Sequence, residues 1–168
     1  MKKFLFLFLI LFAHFSLAQT DKINPKTPPT KDIFFKKENT PNAAPTQKIK
    51  QIHSDSINRK PDLYGGNMFF DGNVEFQHNG AVLTANRVVF YQKENFVKAI
   101  GNVVLVTSDG NRITAEEMEY DGETQRGIAR KNVVLTDPKQ TISTDVLYYD
   151  RVKNTAYFNS GGTINDGR

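Results

Sequence analysis

The sequence predicts an all-β protein built from copies of a unit about thirty residues long, and three observations support this fold class. The stretches GNVEFQHNGAVLTANRVVFY, GNVVLVTSDGNRITAEEMEY and KNVVLTDPKQTISTDVLYYD read as one phrase written three times. Between short turn sequences, apolar residues alternate with polar ones, as they do in half-buried strands. No part of this region keeps an i, i+3, i+4 apolar spacing over a dozen residues, so we expect no long amphipathic helix.

Each copy carries the same anchor residues in the same order. It opens with Asn-Val, continues after a turn with an aliphatic residue followed by Thr or Ser, and closes on an aromatic residue. The aligned anchors are Asn73, Asn102 and Asn132; Leu83, Ile113 and Ile142; Thr84, Thr114 and Ser143; and Phe90, Tyr120 and Tyr149. Partial units are predicted before the first copy, at residues 52–55, and after the third, from Ser160. Units of this length bury a core by stacking on one another.

The pattern within each unit predicts a strand, a turn, two further strands and a second turn. In the second unit, SDGN and DGET are the predicted turns, and residues 112–120 resume as a strand. Because Asn and Gly tolerate positive φ, we interpret the Asp-Gly pairs at Asp71, Asp109 and Asp121 as turns. The segment TAEEMEY favours a helix in isolation, but its counterparts TANRVVF and STDVLYY favour strands, so we predict a strand there too.

Alternation assigns two faces to the predicted strands. The apolar stripe contains Val97, Ala99, Val103, Leu105, Ala129, Val133, Leu135, Ala156, Phe158 and Ile164, together with the apolar anchors of the return strands. The opposite, solvent-facing positions are Glu75, Gln77, Arg87, Glu117, Glu119, Arg126, Lys131 and Asp145. Small residues recur in the stripe, and two interpretations stay open: they leave room for a cavity, or they let two sheets pack closely at about 10 Å. Periodicity alone favours close packing.

A stack of β units has two outer edges with unpaired backbone groups. The chain ends partway into a fourth unit without an evident cap. We therefore expect either that this far edge meets a partner strand or that the sequence belongs to a longer protein.

The first eighteen residues have the layout of a secretory signal peptide. Lys2 and Lys3 precede an apolar run from Phe4 to Leu17, and Ser16-Leu17-Ala18 forms a small-x-small cleavage site. The run is shorter than the ~20 residues that a membrane span needs, so an uncleaved anchor is the less favoured alternative. We predict an exported, soluble mature protein.

Residues 19–51 are predicted to form a flexible linker. The segment is rich in Pro, Lys, Thr and Asn, and its one apolar cluster is Ile33-Phe34-Phe35, a candidate docking element. Residues 19–60 hold nine Lys and Arg against four Asp and Glu, whereas residues 61–168 hold eleven against fourteen. Either the basic segment contacts anionic lipid headgroups or it is a solvated linker, and its composition favours the linker.

Neither nucleic-acid binding nor catalysis is predicted. The folded region is mildly acidic, whereas a nucleic-acid interface is basic. His53 and His78 stand far apart in sequence, so we predict no metal site, and Glu116, Glu117 and Glu119 are interpreted as a solvated face. No cysteine nucleophile, phosphate loop or G-x-S-x-G motif is present, so we expect no enzyme and no cofactor. Without cysteine there are also no disulfides, and the strand ladder and core must supply the stability.

Three repeated features resemble the OstA-like domain, which is named for organic solvent tolerance. They are the GNV openings, the aromatic residue that closes each unit, and a strand with a shared pattern. That strand reads Ile, then Thr or Ser, then Ala or Thr, and then Asp, Glu or Asn. The resemblance covers about residues 52–164 and is greatest to versions that follow a signal peptide in Bacteroidetes-type bacteria. This domain is shared by periplasmic bridge proteins of lipopolysaccharide transport and by the N-terminal domain of the outer-membrane lipopolysaccharide assembly protein.

The resemblance implies a twisted, open β-jellyroll over residues 52–168, whose apolar interior holds lipid acyl chains. The groove residues that it implies are Val74, Phe76, Leu83, Ala85, Phe90, Ala99, Val103, Leu105, Ile113, Ala115, Tyr120, Ala129, Val133, Leu135, Ile142, Tyr149 and Phe158. The implied partners are lipopolysaccharide or lipid A and other jellyrolls, including copies of itself, joined by β-edge pairing. The implied location is the periplasm, with possible association with the outer membrane.

The sequence thus leads to a lipid-carrying bridge protein as the first functional hypothesis. The alternative is a structural or adhesive exported β-solenoid module with a packed core and no lipid ligand. A third reading, a β-helical carbohydrate enzyme, requires carboxylates clustered on one exposed strand face, and the sequence does not show them.

Overall fold

The computed structural model describes residues 31–37, 47–59 and 65–167 of the 168-residue chain, so the predicted signal peptide lies outside the described residues. One short helix, α1 (Lys31–Phe34), precedes the strands, and the described part of the chain has no helix long and apolar enough to span a membrane. The strands are β1 Lys50–His53, β2 Ser56–Arg59, β3 Met68–His78, β4 Ala81–Tyr91, β5 Phe96–Val106, β6 Arg112–Asp121, β7 Arg126–Thr136, β8 Thr141–Asp150, β9 Thr155–Tyr157 and β10 Gly162–Asn165. The predicted all-β class is confirmed, and TAEEMEY lies within strand β6.

All ten strands belong to one antiparallel sheet. Its order is β1-β3-β4-β5-β6-β7-β8-β10, with β2 also paired to β3 and β9 also paired to β8. The two strands at each edge therefore share a single neighbour, and each edge pair behaves as one strand interrupted in the middle. The Asp55 N–H, between β1 and β2, donates to the Gly72 carbonyl in the middle of β3 at 2.9 Å.

The long strands β3–β8 are sharply bent, which folds the sheet onto itself. On β3 the rings of Phe70 and Phe76 have centroids 5.2 Å apart. A straight strand would separate residues six positions apart by about 20 Å. Register shifts interrupt every pairing between β3 and β8 at this level, for example between Ile100 and Val103. The sheet consequently has two arms that face each other, joined at a line of corners.

The corners of β3, β5 and β7 lie at the positions that begin each sequence repeat. The φ angles of Gly101 and Asn102 are 78° and 48°, and the same left-handed backbone occurs at Gly72-Asn73 and Lys131-Asn132. These doublets bend one continuous strand. The prediction of two separate strands between the turns of each unit is wrong, because β4, β6 and β8 each run as one bent strand from turn to turn. The Asp71-Gly72 pair, predicted to be a turn, lies in the corner of β3 for the same reason.

Hydrogen bonds between side chains connect neighbouring strands along the corners. They give a role to the polar residue that ends the repeated Ile-Thr-Ala motif, because this residue accepts a hydrogen bond from an Asn at a corner. The Asn102 amide donates to the Asn86 amide oxygen at 3.3 Å, and the Asn132 amide donates to Glu116. At the first corner Asn73 donates to Asp55 at 3.0 Å, so the partial unit predicted at residues 52–55 supplies the equivalent carboxylate.

Opposite the corners, the turns of the two arms approach each other along a line that we call the seam. The first arm contributes turns at residues 92–95, 122–125 and 151–154, and the second arm contributes turns at residues 79–80, 107–111 and 137–140. Asn79 and Gly80 both have positive φ, as predicted for a tight Asn-Gly hairpin. In the turn after Asp121 the positive φ falls on Gln125 rather than on Gly122.

The apolar stripe predicted from alternation forms one core between the arms. Three positions differ from the prediction. Arg126, predicted to face solvent, has a side chain only 12% exposed, because it pairs with Asp150 and lies against Phe34. Ile164 pairs with Ile142 on the inward register but is 58% exposed, because β10 is the last strand of the sheet. Glu119, predicted to face solvent, is buried, because the segment that contains α1 lies against the outer surface of the first arm.

Candidate functional site

The structure brings the predicted groove residues together between the two arms. Phe158 is partly buried against the core and the others are buried within it; these are Val74, Phe76, Leu83, Ala85, Phe90, Ala99, Val103, Leu105, Ile113, Ala115, Tyr120, Ala129, Val133, Leu135, Ile142 and Tyr149. They come from both arms and from all three repeats. A connected apolar interior therefore exists, and its filling differs along its length.

The interior is closely packed near the first repeat. The Phe76 ring contacts those of Phe70 and Phe90 edge to face, with centroids 5.2 and 5.3 Å apart. The space between Phe76, Leu83, Leu105 and Tyr120 amounts to only about 10 Å³. At this end aromatic and aliphatic side chains fill the space between the arms.

Near the third repeat the interior opens into a cavity of about 390 Å³. This volume lies within the range of roughly 300–1,000 Å³ typical of small-molecule sites. The cavity is lined by Asp109, Asn111, Leu135, Asp137, Pro138, Lys139, Gln140, Ile142, Tyr149, Asn154 and Ala156. Leu135, Ile142 and Tyr149 are predicted groove residues, so the cavity is continuous with the apolar stripe.

A polar cluster forms the rim of the cavity at the seam, with Asn111 and Tyr149 buried and Asp109 and Asn154 exposed. The Asn111 amide nitrogen lies 2.9 Å from the Tyr149 hydroxyl, 2.9 Å from the Asn154 amide oxygen and 3.2 Å from an Asp109 carboxylate oxygen. Its two hydrogens serve two of these three acceptors at a time. Burial raises the pKa of Tyr149, whose hydroxyl stays neutral at physiological pH. The cavity thus has an apolar floor beneath a polar rim that also carries the charged side chains of Asp109, Asp137 and Lys139.

A second polar cluster joins the arms near the first repeat. The Nδ1 atom of His78, on the second arm, lies 2.9 Å from the Tyr120 hydroxyl on the first arm. The Nε2 atom of His78 lies 2.9 Å from the Gln47 carbonyl. Because a carbonyl only accepts, Nε2 donates to Gln47, and Nδ1 accepts from Tyr120 in the neutral imidazole. Both ring nitrogens are therefore engaged in structural contacts.

Arg151 connects the same two arms beside this cluster. Its guanidinium, on a turn of the first arm, donates to the carbonyls of His78 and Asn79 on the second arm. It also donates to the Gln125 side-chain oxygen at 3.1 Å. The planar guanidinium offers five donors in a fixed geometry, which suits several acceptors presented by two turns.

Residues 47–49, which we call the strap, cross the seam before the chain enters β1. Ile49 is 5% exposed and belongs to the core. Its N–H donates to the side-chain oxygen of Asn95 at 2.8 Å, and the Asn95 amide donates to the Gln47 carbonyl at 3.2 Å. Asn95 is itself fully buried, and the strap supplies the donor to its side-chain oxygen, while its amide also donates to Glu123 at 3.1 Å.

Residues 31–37 lie on the outer surface of the first arm. Phe34 is 4% exposed and contacts the Tyr148 ring edge to face, with centroids 5.4 Å apart. Beneath the same segment Glu119 forms ion pairs with Lys31, Lys98 and Arg130. These cations lower the pKa of Glu119, although its burial acts in the opposite direction. The described parts of the predicted linker therefore lie against the domain, and Phe34 docks as its aromatic character suggested.

The histidines do not form a metal site in the described part of the chain, where no group of three His, Asp or Glu is placed to hold an ion. His53 lies on the exposed edge strand β1, 3.5 Å from Asp55. His78 is buried in the seam, so the two are in different environments.

Sequence reasoning missed the residues that join the arms. His78 follows Val74 and Phe76 at the inward positions of β3. A polar residue at an inward position could have marked His78 as a residue with a structural contact. Asn95 and Asn154 occupy equivalent turn positions, and their φ angles are positive, at 54° and 47°. Their spacing in the sequence also suggested that the two positions are equivalent. Nothing local marks Arg151 or Ile49, because their partners lie far away in sequence.

The edges of the sheet carry exposed apolar side chains. Ile52 on β1 and Ile57 on β2 are 48% and 57% exposed at one end, and Ile164 is exposed at the other. β1, β2, β9 and β10 each pair with one strand among the described residues, so each has an open side. These edges have the features of surfaces that accept a further strand.

Comparison with known proteins identifies a family and a fold. Residues 46–168 match the model of a family described as "OstA-like protein". The chain is 32% identical over 82 residues to the LPS-assembly protein LptD of a Polaromonas species; the match covers 49% of this chain and 10% of that protein. Among solved structures it resembles LptH of Pseudomonas aeruginosa, described as the LptA homologous periplasmic component of the lipopolysaccharide transport device. The TM-score is 0.60 at 14% identity, covering 71% of this chain and 94% of that one. The predicted open β-jellyroll is thereby confirmed.

Proposed function

This chain belongs to the OstA-like protein family, and from that membership we propose that it is a periplasmic bridge protein that carries lipopolysaccharide toward the outer membrane. The acyl chains occupy the apolar interior between the two arms. Since the chain spans about a tenth of the curated relative that it matches, the role of that whole protein is not transferred to it.

The observation that carries the proposal is the continuity of the apolar interior with the cavity at the third repeat. Leu135, Ile142 and Ala156 form an apolar floor that hydrocarbon can contact. Each CH₂ group removed from water contributes about 0.8 kcal/mol, so a single acyl chain gains substantial binding energy there. This attraction is non-directional, which allows a bound chain to slide along the stripe.

The open edges support assembly into a longer bridge. Ile164, on the inward register of β10, extends the apolar interior to the far edge of the sheet, where it is exposed. A jellyroll added by strand pairing at this edge would cover Ile164 and continue the interior into the next molecule. The proposed partners are therefore other jellyrolls of the transport bridge or further copies of this chain.

An apolar substitution that fills the cavity tests the proposal without adding a buried charge. Ala156→Phe places a ring between Leu135 and Ile142, and we expect it to weaken binding of lipid A to the purified chain. Val106→Phe is the matched control, because Val106 is 40% exposed and does not line the cavity. Binding is measured by displacement of a fluorescent fatty acid. Equal lipid A affinity in Ala156→Phe and the wild type would contradict the cavity assignment.

The close packing near the first repeat favours a second candidate, a structural or adhesive β module without a ligand. The space of about 10 Å³ around Phe76 and Leu105 is typical of an ordinary core. The same displacement assay separates the two candidates, because a module with a packed core takes up no fatty acid. Mass spectrometry of lipid that copurifies from the periplasmic fraction provides an independent measurement.

A further inference from the structure

We propose that the strap (residues 47–49) is a lateral gate that closes the seam of the jellyroll and must leave before an acyl chain enters the packed part of the interior. This proposal rests on the proposed lipid-carrying function and deepens it, since it assigns a route of entry. The cavity at the third repeat gives access to one end of the stripe. The strap covers the other end.

The strap fills a slot between the arms rather than lying on the surface. The Ile49 side chain borders the same 10 Å³ space as Val97 and Tyr120 of the first arm and Leu83 and Leu105 of the second. Removing Ile49 would leave an apolar slot that reaches the core from the side. A hydrocarbon chain matches this slot in chemistry, because the side chain that it replaces is aliphatic.

The strap contacts both arms, as expected of a gate. Its Gln47 carbonyl accepts from His78 of the second arm and from Asn95 of the first. Gly122 of the first arm brings a second turn close to Ile49: a Cβ on Gly122 would stand 2.9 Å from an Ile49 side-chain carbon. The closed position is therefore specified by shape as well as by hydrogen bonds.

Exposed ion pairs hold the strap in a way that is easily reversed. Lys48 lies 2.8 Å from Glu123, which also pairs with Lys37 at 3.3 Å. The hydrogen bond from Lys48 lowers the pKa of Glu123 to about 2, with a further contribution from Lys37. Because exposed pairs contribute little to stability, these contacts guide the strap without locking it.

The test measures how fast cis-parinaric acid, a fluorescent fatty acid, enters the purified mature chain in a stopped-flow experiment. Ile49→Asp removes the aliphatic plug, and we expect the uptake rate to rise roughly tenfold or more. Val152→Asp is the matched control: it is the same kind of change in a seam turn, but Val152 is 68% exposed, and its rate should equal that of the wild type. Lys48→Glu changes an exposed side chain and spares the core, and we expect an increase of about two- to fivefold.

The outcomes separate the gate from the function. Uptake by the wild type at the same rate as folded Ile49→Asp overturns the gate and leaves lipid carriage standing. Uptake by none of the variants overturns both. If Ile49→Asp fails to fold by circular dichroism, Lys48→Glu decides, and a wild-type rate there overturns the gate. Faster hydrogen exchange at the Ile49 amide in Lys48→Glu, together with faster uptake, supports it.

Discussion

The imidazole of His78 and the hydroxyl of Tyr120 lie 2.9 Å apart across the seam, joining two arms of the sheet through residues 42 positions apart in sequence. The neutral imidazole suits this position, because Nε2 donates to Gln47 while Nδ1 accepts from Tyr120. Burial lowers the pKa of His78. Arg151 lowers it further, whereas the backbone contact with Gln47 and the carboxylates of Glu123 and Asp121 act in the opposite direction.

This arrangement predicts that the protein loses stability on mild acidification. With a lowered pKa, folded His78 binds fewer protons than the unfolded chain, so its contribution is fully present above the ordinary value of 6.5. That contribution decreases as the pH falls below 6.5 toward the folded pKa. We expect the free energy of unfolding, measured in urea, to decrease between pH 7.5 and 5.5.

The substitution His78→Gln isolates this effect. A glutamine amide can donate to Gln47 and accept from Tyr120 as the neutral imidazole does, but it does not titrate. Its unfolding free energy should therefore depend less on pH across the same interval than that of the wild type. An unchanged pH slope would show that groups other than His78 cause the loss.

Arg151 is predicted to contribute strongly to holding the arms together. Arg151→Ala removes donors from the carbonyls of His78 and Asn79, and hydrogen bonds to charged groups contribute about 1.5–3 kcal/mol each. We expect the free energy of unfolding to fall by about 2–3 kcal/mol in chemical denaturation. Arg112→Ala, at an exposed position of β6, serves as the control and should change it by less than about 0.5 kcal/mol. Equal effects of the two variants would contradict the role of Arg151.

Glycine at the corner of β5 is predicted to contribute stability for two separable reasons, although Lys131 adopts a similar φ at the corner of β7. Gly101 has φ of 78°, which costs an alanine about 1–2 kcal/mol, and an added Cβ would stand 2.9 Å from the Asn86 amide nitrogen. Gly110 has φ of 88° but no atom within 4 Å of an added Cβ. Gly101→Ala should therefore lower the unfolding free energy more than Gly110→Ala does. Equal losses would mean that the Asn86–Asn102 contact plays no part at the corner.

The inward-facing apolar stripe could be predicted from the sequence, because the alternation of side chains in a strand is a local property. Val103, Leu105 and Ile113 are buried where their spacing placed them. The corner of β3 was misjudged as a turn at Asp71-Gly72, because Asp-Gly serves turns and bulges equally well. At Gly101-Asn102 only the pairing on both sides of the doublet reveals which of the two occurs.

The joining of the arms depends on contacts distant in sequence, so a local pattern can mark a residue such as His78 but not its partner. Glu119 was expected to face solvent because its strand alternates normally. It is covered because Phe34, from a segment far away in the chain, docks over the same arm. A Pro-rich composition does not determine whether aromatic residues within such a segment find a surface.

Docking of residues 31–37 predicts protection from protease. Phe34→Ala removes a buried ring, and loss of a buried Phe typically costs about 3–5 kcal/mol, which exceeds the contribution of the exposed ion pairs. We expect trypsin to cleave after Lys36 and Lys37 much faster in this variant, as measured by mass spectrometry over time. Lys31→Gln weakens one ion pair with Glu119 and should retain most of the protection. Cleavage of Phe34→Ala at the wild-type rate, or of Lys31→Gln at the faster rate, would show that the aromatic contact does not hold the segment.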